Sequence, residues 1–143
     1  MRSKNILCCA LVVVIILSCC CGISADSSVD GGIVPYYVNV TSIRNLFAVS
    51  NGTAVIETIY NDRTGAFTSI TVEVTLQKKV LLFWSDVDGG EWTTTRTASS
   101  GTISHSLALS KTGEYRAVIT CTVYGTAGEP DVVTETLYYT YTN

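Results

Sequence analysis

Two stretches of this chain alternate apolar and polar side chains at a period of two, and that limits the fold more than any other feature. Ile70, Val72, Val74 and Leu76 share one side, with Thr71, Glu73, Thr75 and Gln77 on the other. Tyr115, Ala117, Ile119, Cys121 and Val123 repeat the pattern against Arg116, Thr120 and Thr122. Successive side chains of a strand point to opposite faces, so each stretch reads as a strand with one dry and one wet face. One-faced burial of this kind belongs to antiparallel sheet. Weaker strands are expected over Tyr36–Ile43, Leu46–Val49, Thr53–Tyr60, Leu81–Ser85, Glu91–Thr97, Thr102–Leu109 and Val132–Tyr141, where Thr, Val, Ile and Tyr dominate. Turn residues separate them at Ser50-Asn51-Gly52, Asn61 to Gly65, Asp88-Gly89-Gly90, Ser99-Ser100-Gly101 and Gly125 to Pro130. About seven to nine short strands at this spacing make an all-β sandwich or barrel.

Lys111-Thr112-Gly113-Glu114-Tyr115 decides between the two. Immunoglobulin-type sandwiches carry a tyrosine near the start of their sixth strand, whose hydroxyl bonds back to the backbone across the corner. Gly113 and Tyr115 fit that corner, which predicts an immunoglobulin-like antiparallel β-sandwich over residues 36–143. Ala117 stands where antibody domains place a disulfide cysteine, so the match is to the disulfide-free relatives.

The N-terminus is of another character. Arg2 and Lys4 precede an apolar run from Ile6 to Leu17, and Ile23-Ser24-Ala25 supplies a small residue for cleavage. Residues 1–25 read as a cleaved signal peptide, too short in their apolar run to span a bilayer comfortably. Two other readings are a retained anchor helix and lipidation at Cys19. Residues 26–35, with Asp, Ser, Gly-Gly and Pro, read as a flexible leader. Of the six cysteines, only Cys121 lies beyond the signal, so an intramolecular disulfide is not expected in the mature chain. The acidic balance, 12 Asp+Glu against 9 Lys+Arg, argues against a nucleic-acid partner.

The chain resembles small secreted immunoglobulin-like proteins of Gram-positive, clostridia-type bacteria. The resemblance lies in Asn39 to Ile43, Gly52-Thr53-Ala54, Ile70 to Lys79, Trp92, and Gly113-Glu114-Tyr115-Arg116 leading to Val123-Tyr124. It implies the fold and export, and carries over no site residues.

Single residues offer little chemistry. Cys121 sits mid-strand on an apolar face, where a free cysteine acts as a small hydrophobe. His105 is the sole histidine; without defined partners it makes neither a zinc site nor a Ser-His-Asp set, and it is expected as a structural residue at the sheet margin. Asp86, Asp88 and Glu91 are candidate calcium ligands, with hairpin solubility as the plainer explanation. The Asn-x-Thr tripeptides at Asn39 and Asn51 fit the glycosylation pattern.

Val80-Leu81-Leu82-Phe83-Trp84 is the strongest surface candidate. Five consecutive apolar residues cannot all face one core in a strand. Phe83, Trp84 and Trp92 are therefore the expected partner surface. The function expected is a non-enzymatic binding or adhesion module without cofactor. It would be secreted, released or held at the cell surface, with a protein or glycan partner and no membrane span after signal cleavage. The alternatives are a carbohydrate-binding module using exposed aromatics, and an assembly subunit that pairs through an edge strand.

Overall fold

The computed structural model of the chain describes residues 37–142. The signal peptide and the leader expected up to residue 35 lie outside them. Seven strands form in order: β1 (Ser42–Ser50), β2 (Thr53–Asn61), β3 (Phe67–Val80), β4 (Phe83–Arg96), β5 (Ser100–Ala108), β6 (Gly113–Gly125) and β7 (Asp131–Tyr141). Every pairing is antiparallel. The strands make a three-stranded sheet, β1-β2-β5, and a four-stranded sheet, β4-β3-β6-β7. In immunoglobulin lettering these are A-B-E and C′-C-F-G, so the fold is the expected immunoglobulin-like sandwich.

The two alternating stretches became β3 and β6, which lie side by side in the four-stranded sheet. Ile70, Val72, Val74 and Leu76 pack with Ala117, Ile119, Cys121 and Val123. Ala54, Ile56, Tyr60 and Ile103 meet them from the other sheet. Tyr115 closes the corner: its hydroxyl donates to the Lys111 carbonyl at 2.6 Å, the span the sequence predicted.

The seven strands fall within the seven to nine expected, and number seven because two pairs of the nine expected segments merged. Leu46–Val49 and the end of Tyr36–Ile43 form one strand, β1, through Asn45. Tyr37 to Thr41 are not strand. Here Asp131 accepts from the backbone nitrogens of Val38 and Asn39, at 3.0 and 2.7 Å. Asn39 is fully buried and donates to the Glu129 carbonyl at 2.9 Å, so its glycosylation tripeptide is sealed by folding. Asn51 instead occupies an open two-residue turn with Gly52, both at positive φ (49° and 73°), as a type I′ hairpin requires.

The second merger is in β4, and it corrects the turn expected at Asp88-Gly89-Gly90. Asp86 pairs with Gln77, and Glu91 with Thr75, so Val87 to Gly90 lie opposite Leu76 alone. The segment is a large β-bulge, not a hairpin. Gly89 takes a φ of 72°. At Gly90 a Cβ would stand 2.9 Å from the Val87 carbonyl and 3.0 Å from Leu76, so glycine is needed for close approach. The hairpin lies instead at Leu81-Leu82, where no turn residue announces it.

Cys121 is fully buried, and its thiol donates weakly to Asn45 Oδ1 at 3.8 Å. Burial pushes the thiol pKa up to about 11. Attack on a thiol reagent requires the thiolate. Labelling of native protein at neutral pH is expected to be very slow and to become fast in denaturant. Rapid stoichiometric labelling without denaturant would contradict this packing.

Candidate functional site

The bulge in β4 determines where the aromatic candidates go. It inserts an odd number of residues, so side chains on its two sides change face relative to a regular strand. Trp84 pairs with Lys79 on the outer face of the four-stranded sheet. Trp92 pairs with Val74 and points inward, where it packs against the core. The two tryptophans therefore do not share a surface, and Trp92 leaves the expected partner surface. Its ring stacks on His105 with centroids 5.1 Å apart and planes 10° apart.

His105 is thus a packing residue at the sheet margin, with its Nε2 3.3 Å from Thr94 Oγ1. Burial first, and the Arg96 charge second, hold its pKa below the ordinary 6.5. The unfolded chain then takes up this proton before the folded one does. The contribution to stability is complete above pH about 6.5 and is lost as pH falls toward the lower folded pKa. A urea midpoint that declines on acidification across this window, with the decline reduced in His105→Gln, is expected. An unchanged slope in the variant would contradict it.

The acidic candidates do not converge. Asp86 accepts from Gln77 Nε2 at 2.7 Å on the outer face. Asp88 lies in the bulge and Glu91 pairs across to Thr75. Among the described residues no three His, Cys, Asp or Glu side chains are placed to hold a metal ion.

What the structure does assemble is the β3–β4 hairpin. Val80, Leu81, Leu82 and Phe83 form its apex and are 52, 87, 86 and 75% exposed. Exposed leucines singly are ordinary, but four successive apolar side chains in water are not. Leu81 carries a positive φ of 57°. A left-handed backbone costs a branched residue about 1–2 kcal/mol relative to glycine. The Asn51-Gly52 hairpin shows the turn chemistry such a loop normally uses. The chain thus spends stability to hold leucine at the tip, and strain of this kind concentrates at functional sites. Leu81→Gly is expected to raise stability by about 0.5–1 kcal/mol, the relieved strain less the entropy glycine adds to the unfolded chain. A lower urea midpoint for this variant would contradict the strain argument.

Behind the apex, Trp84 is half-buried on the outer face. The Arg116 guanidinium lies 4.5 Å from its ring centroid, and Tyr138 stands 5.8 Å away at a 59° tilt. Arg116 Nε donates to Gln77 Oε1 at 2.7 Å, which fixes the guanidinium over the sheet. Lys79 pairs with Glu114. Lys78 lies along Gly113 and 5.6 Å from the Tyr115 ring centroid. A cleft of about 400 Å³ beside the hairpin is lined by Lys78, Val80, Asp86, Asp88 and Lys111, among others. The sequence alone does not place Arg116, Tyr138 or Lys78 beside Trp84, because only the strand register brings them to it and to the apex.

No protein-family model matches the chain, and no curated protein matches it. Among solved structures, OgpA from Akkermansia muciniphila in complex with an O-glycopeptide is similar at 12% identity and a TM-score of 0.35, covering 80% of this chain. The chain spans about a third of OgpA's length (32%). A protein from Archaeoglobus fulgidus is similar at 14% identity and a TM-score of 0.31, covering 73% of this chain and 99% of that one. At these values neither likeness bears on what the chain does.

Proposed function

We propose that the chain is a non-enzymatic binding module that acts outside the cell as an adhesion domain, with the β3–β4 hairpin as its contact element. The observation that carries this is the exposure of Val80 to Phe83 on a turn whose backbone disfavours leucine. Burying such side chains against a partner recovers about 1.5–3 kcal/mol each, which gives the tip its use. The N-terminal export pattern and the resemblance to secreted immunoglobulin-like proteins support the location.

A second reading has its own observation. Trp84, Arg116 and Tyr138 form an aromatic and cationic cluster on the open face of the sheet, a fit for stacking a sugar. Binding of the whole chain to intact cells, and to arrays of polysaccharides and extracellular proteins, separates the two. Loss of binding in Leu82→Ser/Phe83→Ser, with Trp84→Ala still bound, supports the tip. Loss in Trp84→Ala alone favours the sugar platform. Full binding by both variants would overturn the proposal.

A further inference from the structure

Resting on the reading of the hairpin as the contact element, we infer that its target is the interface of a lipid bilayer carrying anionic head groups. The protein or glycan partner expected from sequence would have to supply a surface shaped to receive the apex. A two-residue turn between two strands is convex, whereas ligand sites for small molecules are concave. A bilayer receives a convex apolar point without needing a matching pocket.

The order of side chains along the hairpin follows the order of environments at a membrane surface. Val80 to Phe83 form the apolar end. One residue back are Lys79 and Trp84, and two back is Lys78. At a rise of about 3.4 Å per residue these lie roughly 3–7 Å behind the apex. Interfacial segments seat their apolar face about 5–10 Å deep, with tryptophan, tyrosine and cations at head-group level. Trp84 with Tyr138, and Lys78 with Lys79, stand at that level.

Charge placement points the same way. The chain is acidic overall, at a formal net charge of −3. Yet Lys78, Lys79, Lys111 and Arg116 gather at the hairpin end of the sandwich, while Arg44 near the start of β1, Arg63 in the β2–β3 connection and Arg96 at the end of β4 lie toward the other end. Asp86, Asp88 and Glu114 also sit near the hairpin. Glu114 is neutralised by Lys79, whereas Asp86, which accepts from the neutral Gln77 amide, and Asp88 keep their negative charge. Among the described residues Lys79–Glu114 is the only ion pair, so Lys78, Lys111 and Arg116 stand against Asp86 and Asp88 and leave this end of the sandwich with a surplus of one positive charge on a chain that is acidic overall. Cations at a membrane surface are drawn to anionic lipid, and salt screens the attraction.

The test uses the whole chain with vesicles of equal parts phosphatidylcholine and phosphatidylglycerol, brominated at shallow acyl positions. Bromine quenches only nearby tryptophan. The difference between the wild-type chain and Trp84→Phe isolates Trp84 from Trp92 and from any lipid contact made by residues 1–36. Trp84 emission is expected to be quenched. The quenching should weaken with added salt and with phosphatidylcholine alone. In Leu82→Ser/Phe83→Ser the lipid partition of the tip should fall at least about tenfold. Leu82→Ser alone, at a fully exposed position, gives the same direction should the double variant fold poorly.

Undiminished quenching in the tip variants, or none in the wild-type chain, would overturn the bilayer assignment. If vesicles fail while binding to cells or arrays still needs Leu82 and Phe83, the tip reading stands and its target is a protein or glycan. If the tip variants abolish a concentration-dependent self-association seen by sedimentation without lipid, the target is a second copy, and the bilayer assignment falls. If they change none of these measurements, both the assignment and the reading beneath it fall.

Discussion

Asn45→Ala is expected to lower the unfolding free energy by about 3 kcal/mol, because one side chain stitches both sheets together. Asn45 Nδ2 donates to Glu135 Oε2 at 2.9 Å, and its Oδ1 accepts from Thr58 Oγ1 at 2.7 Å. The Cys121 thiol reaches the same oxygen. The amide therefore joins β1 and β2 of one sheet to β6 and β7 of the other. Truncation leaves the buried Thr58 hydroxyl without its acceptor, at a cost of about 1–3 kcal/mol, and opens a small void. Thr58→Val in the Asn45→Ala background should recover part of the loss, since it removes the stranded group. Urea unfolding of the single and double variants measures this. A drop below about 1 kcal/mol for Asn45→Ala would show that the network carries little.

Gly125→Ala is expected to cost about 3 kcal/mol, at the upper end for an overpacked methyl. The added Cβ would stand 2.1 Å from Asn39 Oδ1 and 2.6 Å from the Ala66 carbonyl. Neither neighbour can retreat. Asn39 is held by the Glu129 carbonyl and the Ala127 nitrogen, at 2.9 and 3.3 Å. The Ala66 carbonyl accepts from the Thr126 nitrogen at 2.8 Å. Gly65→Ala is the comparison, with no atom within 4 Å of its Cβ and only a φ of 76° against it. Its cost should stay near about 1 kcal/mol. Equal midpoints for the two variants would contradict the steric argument.

The parts of the fold legible in sequence were those governed by local periodicity. β3 and β6 alternate cleanly because each has one face in the core, and Asn51-Gly52 has the residues its turn demands. The tyrosine corner was legible because its partners are four residues apart, Lys111 and Tyr115. β1 read as two pieces because the buried Asn45 breaks the apolar rhythm between Ile43 and Leu46. Its burial depends on Thr58 and Glu135, which are distant in sequence.

β4 misled for a related reason. Asp88-Gly89-Gly90 has hairpin chemistry, yet a bulge also needs a left-handed glycine and a close backbone approach. Only the pairing of Gln77 with Asp86 and of Thr75 with Glu91 distinguishes the two. From that one feature follow the separation of Trp84 from Trp92 and the true hairpin at Leu81-Leu82. The candidate surface was half legible: a run of five apolar residues signals exposure, but parity across the bulge decides which aromatics share it.

Photo-crosslinking from the apex tests the central claim most directly. A benzoylphenylalanine at position 82, in the whole chain applied to intact cells, is expected to give a covalent product with a cell-surface component. The same group at the exposed Ser104, on the outer face of the three-stranded sheet, is expected to give none. A product from position 104 with none from position 82 would contradict the assignment of the hairpin as the contact element.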